Sequence, residues 1–113
     1  MDRKEMTKLV VSKIRNGEPV QFKVTGKDSE RDQFYGWIRL FQQKRCGDTH
    51  CLNCNSYTNP EGHVSLTIRV SVVPHDAREY LADSLEDYFG KDESSLDIQI
   101  EGVFKTPPNT TSV

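Results

Sequence analysis

Cys46, His50, Cys51 and Cys54 fall within nine residues, in a segment otherwise rich in Asn, Gly, Asp, Thr and Pro. The Cys51-x-x-Cys54 spacing lets two thiolates converge on one tetrahedral ion. Sulfur ligands with an imidazole favour zinc over hard cations, with an iron–sulfur cluster as the alternative. A fourth ligand is needed. His50 adjoins Cys51, and adjacent ligands point apart unless the backbone turns sharply. His63 would face Cys46 if a strand ending near Arg45 paired antiparallel with one starting near Val64. The expected metal set is therefore Cys46, Cys51, Cys54 and His63, with His50 as the substitute for His63. Four protein ligands leave no position for water or substrate, so this zinc would be structural, ordering a loop that has no core. The competing reading is three free thiols, yet core packing does not explain three cysteines in so hydrophilic a segment.

The run Phe34-Tyr35-Gly36-Trp37-Ile38-Arg39-Leu40-Phe41 is the second concentration of chemistry. Read as a strand from about Gln33 to Phe41, it sends Phe34, Gly36, Ile38 and Leu40 to one face and Tyr35, Trp37, Arg39 and Phe41 to the other. If the first face joins the core, the second presents three rings and an arginine, beside Lys23 and Arg69 on the outer faces of neighbouring strands. Rings stack on any base and cations hold phosphates, so this set suits single-stranded nucleic acid. Alternatively both faces are buried, with an opening helix covering the rings. Lys44 and Arg45 are then the best phosphate ligands.

Charge is unevenly distributed. Residues 1–45 hold 11 Lys/Arg against 6 Asp/Glu, a balance of +5, while residues 75–101 hold 2 against 9, a balance of −7. The acidic stretch 76–93, with Asp83, Glu86 and Asp87, repels phosphate and suits a basic protein surface, unless it is simply a solvated helix face. No phosphate loop, dinucleotide fingerprint or nucleophile elbow is present. A zinc deaminase needs His-x-Glu followed by Pro-Cys-x-x-Cys, whereas here Glu61-Gly62-His63 runs the other way and follows the cysteines. The expectation is a binding module and not an enzyme. Its ligand is single-stranded or locally opened nucleic acid; alternatively it is a protein-interaction module, an adaptor or inhibitor of a larger machine such as one that handles nucleic acid, using the acidic helix 76–93 or the metal loop.

The 113 residues, 35% hydrophobic and 28% charged, suit one thin-cored domain. No stretch reaches the length of a membrane span, and MDRKEMTK lacks the apolar run of a signal peptide, which points to the cytoplasm. Thiols stay reduced there, favouring ligation over a disulfide.

Met6, Leu9, Val10 and Ile14 mark an N-terminal helix stopped at Gly17, and Val20, Phe22 and Val24 mark a strand. Gly26-Lys27-Asp28-Ser29 reads as a hairpin turn into the aromatic strand. Alternation from Val64 to Val72 is the clearest strand. Pro74-His75-Asp76 can cap a helix bearing Leu81, Leu85, Tyr88 and Phe89, closed by Gly90, before a last strand at Leu96, Ile98 and Ile100. The expected fold is α+β: a small antiparallel curled sheet of about four strands, OB-like if one strand splits to give a fifth, with a metal loop between strands 2 and 3. The domain is expected over residues 1–105, followed by a flexible tail, 106–113, that ends in the Thr-x-Val pattern of strand-addition ligands.

Overall fold

The computed structural model describes residues 2–46, 51–71 and 73–101. The first helix, α1 (Arg3–Arg15), starts where the Asp2 carboxylate accepts the Glu5 N–H at 2.9 Å, and it buries Thr7, Val10, Val11 and Ile14. Gly17 follows at φ 74°, a left-handed conformation that releases the chain into β1 (Val20–Thr25). Val20, Phe22 and Val24 of β1 point into the core, as alternation requires.

The segment Gln33–Phe41 is not a strand. It belongs to helix α2 (Asp28–Phe41), whose buried residues Arg31, Phe34, Ile38 and Phe41 recur at intervals of three and four. Gly26-Lys27-Asp28-Ser29 is accordingly the entry to this helix and not a hairpin turn, and β1 does not pair with the aromatic segment. Five aromatic or β-branched residues among eight matched both a period of 2 and a period of 3.6, and packing against α3 decided for the helix. Gly36 sits exposed in mid-helix, with nothing within 4 Å of where a Cβ would stand. Gly36→Ala is therefore expected to stabilise the protein by about 0.5–1 kcal/mol in a urea titration. A strand at this position would show no such gain.

A single π-helical turn, Gln42–Cys46, continues α2. The segment read as a metal loop then contains strand β2 (Leu52–Thr58), which pairs antiparallel with β3 (Val64–Val70) from Leu52↔Val70 to Thr58↔Val64. Helix α3 (His75–Gly90) and strand β4 (Asp97–Ile100) follow as expected, although the α3 N-cap is Pro74 without a side-chain cap bond. The Arg3 guanidinium reaches the Ser94 and Leu96 carbonyls at 2.6 and 3.1 Å and so ties α1 to the connection between α3 and β4.

The sheet order is β2-β3-β1-β4, entirely antiparallel. β1 and β2 therefore run the same way with β3 between them, and β3 and β4 likewise flank β1. Two split β-α-β units interleave as in a ferredoxin-like sheet, with α1 added in front. One sheet face, with Phe22, Val24, Leu52, Leu66, Ile68, Val70 and Ile98, joins buried residues of all three helices in one core. The α+β class and the count of four strands stand. The described strands form an open sheet edged by β2 and β4, not the five-stranded barrel of an OB fold. The 106–113 tail lies outside the described residues.

Candidate nucleic-acid interface

A seam of rings joins α2 to α3. At its base Phe34 meets Tyr88 and Phe89 edge-on, with centroids 5.2 and 5.3 Å apart. Further out, Trp37 lies 5.5 Å from Tyr88, 5.8 Å from Phe41 and 6.2 Å from Tyr80, while Phe41 stacks on Tyr80 at 6.0 Å. The Arg45 guanidinium sits 5.0 Å above the Tyr80 ring. Together Trp37, Leu40, Phe41, Lys44, Arg45 and Tyr80 line a cleft of about 230 Å³. None of these lining residues is acidic.

The π-helical turn makes this arrangement possible. Its wider winding brings both Lys44 and Arg45 to the side of Trp37 and Phe41, and such turns recur at functional sites. The turn ends at buried Cys46, whose sulfur is bonded to that of Cys51. Cys51 is in turn fixed to the sheet, since its carbonyl accepts the Ser71 N–H at 2.9 Å. The two cations of the cleft are thus tied covalently to the start of β2.

Of the expected metal set, Cys46 and Cys51 are brought together and His63 is not. The two sulfurs lie as a bonded pair, and reduced they would supply two adjacent thiolates. Cys54 is buried, and burial pushes its thiol up to about 11, with the charge of Arg39 opposing. His63 sits at the β2–β3 turn, where its N–H donates to Asn59 Oδ1 at 2.9 Å. Val64 pairs with Thr58 and Val70 with Leu52, so His63 lies eight positions, about 26 Å of strand, away from Cys51. The expected pairing of an Arg45 strand with Val64 does not exist, because Arg45 is helical. His50 lies outside the described residues. Among the described residues no group of three or more His, Cys, Asp and Glu converges on a metal position.

The seven residues expected to bind nucleic acid separate into three groups. Trp37, Lys44 and Arg45 meet in the cleft. Tyr35 and Arg39 occupy another strip of α2 and engage each other, with Arg39 Nη1 donating to the Tyr35 hydroxyl at 3.0 Å. Lys23 and Arg69 lie on the outer sheet face as alternation foresaw, Lys23 opposite Thr67 and Arg69 opposite Gln21. That face is turned away from the helices. Sequence reasoning missed Leu40 and Tyr80, because Tyr80 reaches the cleft from α3 amid acidic neighbours.

The acidic trio is also divided. Arg15 of α1 donates to Asp83, Glu86 and Glu79 at 2.6, 2.9 and 3.2 Å, and the Glu86 bond foremost holds its guanidinium above its ordinary pKa, against burial. Asp87 instead faces a different cavity of about 380 Å³ beside Glu30, Tyr88, Lys91 and Glu93. Arg15→Ala should cost about 1 kcal/mol in a urea titration, and most of that difference should vanish in about 1 M salt, because these are exposed charges. Reversing Asp83 or Glu86 to Lys would likewise place cations against Arg15, so of the three only Asp87 reports partner binding without this disturbance.

Among the described residues no helix is long and apolar enough to cross a membrane. No protein-family model, curated protein or solved structure matches the chain.

Proposed function

We propose that this chain is a non-catalytic binding module that engages single-stranded or locally opened nucleic acid through the cleft between α2 and α3. The observation that carries this reading is the convergence of Lys44 and Arg45 with the Trp37, Phe41 and Tyr80 rings in a cleft with no acidic lining residue. Rings supply a face that every base can stack on, and the cations supply partners for phosphate.

Trp37 is the only tryptophan in the chain, so its fluorescence reports the cleft directly. Titration with an unstructured oligonucleotide at low salt is expected to quench it. Lys44→Ala and Arg45→Ala should each weaken binding about 10-fold, and Lys44→Ala should flatten the dependence on log salt by ~0.7. Lys23→Ala and Arg69→Ala, on the opposite face, should leave the titration unchanged. If no oligonucleotide alters the fluorescence at low salt, the reading fails.

A second reading has its own observation. Leu40 is 52% exposed and Tyr80 46%, beside Trp37 and Arg45, and that composition also anchors protein interfaces. Leu40→Ser separates the two: it should abolish capture of a protein partner and spare oligonucleotide binding.

Zinc has a place in this proposal only through the cysteines. In the cytoplasm, which the sequence leads one to expect, Cys46 and Cys51 would be held as thiols, and a zinc ion on them could tie the π-helical turn to β2 as the disulfide does. Elemental analysis of protein purified under reductant tests this tie. About one zinc per chain, lost with Cys46→Ser, supports it, and metal far below one equivalent removes it.

A further inference from the structure

We infer that the cleft accepts a single nucleotide unit, one base with one phosphate, and not a run of stacked bases; this rests on the nucleic-acid reading above. The volume of about 230 Å³ lies below the roughly 300–1,000 Å³ of sites that enclose drug-sized ligands. The rings also leave no slot for a base between them. Intercalation needs ring planes about 7 Å apart, twice the ~3.4 Å base spacing, whereas Trp37 and Tyr80 are 6.2 Å apart and tilted by 46°.

A base can therefore stack only on the open rim, where the Arg45 guanidinium already covers part of Tyr80. Guanidinium planes accept bases as rings do. Arg45 can serve as one such plane while Lys44 meets the adjoining phosphate. No second ring continues the platform. Besides Tyr80, the other exposed aromatic among the described residues is Tyr57, which lies on the outer sheet face opposite Ser65. Tyr35 is engaged with Arg39 on another strip of α2. A strand that stacked one base here would find nothing to hold the next.

The same chemistry is offered by a nucleotide within a strand and by a free nucleotide, and a length series distinguishes them. Trp37 quenching would be measured on the full chain with thymidine, thymidine monophosphate and oligothymidylates of two, four, ten and twenty residues. The monophosphate should reach the same quenching plateau as the oligomers and bind at least about 10-fold more tightly than thymidine. Beyond two residues, affinity should rise only in proportion to the number of equivalent positions, with a log–log salt slope of about −0.7 for the one phosphate neutralised on a single strand. A stacked platform would instead raise affinity about five-fold or more with each added base. That result would overturn the single-nucleotide inference and leave the nucleic-acid reading standing. Quenching by the monophosphate but by no oligomer would keep the one-nucleotide site and remove the strand as its source. No quenching by any of them would overturn both.

Discussion

Phe34→Ala is expected to destabilise the protein by about 3–5 kcal/mol, enough to unfold a large share of molecules if the domain has the modest stability of its size class. Phe34 is fully buried, with its ring edge-on to Tyr88 and Phe89 and 6.1 Å from Trp37, so truncation opens a cavity at the joint between α2 and α3. Leu40→Ala should cost less than about 0.5 kcal/mol, because Leu40 is half exposed at the cleft rim. Paired urea titrations of these two variants test the architecture sharply. Strand alternation would put both residues on one buried face and predict comparable losses, whereas the helix makes them differ by several kcal/mol. Comparable losses would refute the packing of α2.

The contrast also shows which parts of the fold were legible. α1, β1, β3, α3 and β4 each carry an apolar period that matches only one kind of element. Val64 to Val70, for instance, alternates too strictly for a helix. The Phe34–Phe41 run satisfies two periods at once, and only α3 lying across it selects one. β2 hides for the opposite reason. Asn53, Asn55 and Ser56 have little strand propensity, and their backbone is recruited by pairing with β3 along seven residues, a tertiary effect with no local signature.

The site follows the same logic. Trp37, Lys44 and Arg45 were recognisable by type, because rings and cations suit nucleic acid on a strand or a helix alike. Their grouping was not. Alternation tied Trp37 to Tyr35, Arg39 and Phe41, but the helical turn of 100° per residue carries Tyr35 and Arg39 to another strip, keeps Phe41 beside Trp37 and delivers Leu40 and Lys44. Tyr80 is contributed by an element 39 residues further on, so no spacing along α2 could announce it. The cysteine cluster was legible only as a cluster: its short spacings place Cys46 and Cys51 with their Cα atoms 5.8 Å apart, close enough for a direct bond and, when reduced, for two thiolates on one ion.

Reduction of the Cys46–Cys51 bond is expected to lower stability by about 2 kcal/mol, the chain-entropy estimate for closing so short a loop. It should also weaken oligonucleotide binding, because Arg45 adjoins Cys46 and holds its place over Tyr80 only while the π-helical turn is anchored to β2. Cys54 does not take over. Burial holds its thiol near 11, above the ordinary 9.0, so it stays protonated and unreactive near neutrality. That raised value has its own sign: the stability owed to burying the neutral thiol is complete below about pH 9 and is lost as pH climbs towards 11. Urea titrations with and without reductant, each repeated on Cys51→Ser, measure the effect. The variant should match the reduced protein and no longer respond to reductant, and its Trp37 titration should show the same weakened affinity. Unchanged affinity after reduction would mean that packing of Phe41 on Tyr80 alone holds Arg45 in place. Recovery of both stability and affinity when zinc is added to the reduced wild type, and not to the variant, would identify a thiolate-bound metal as an equivalent anchor.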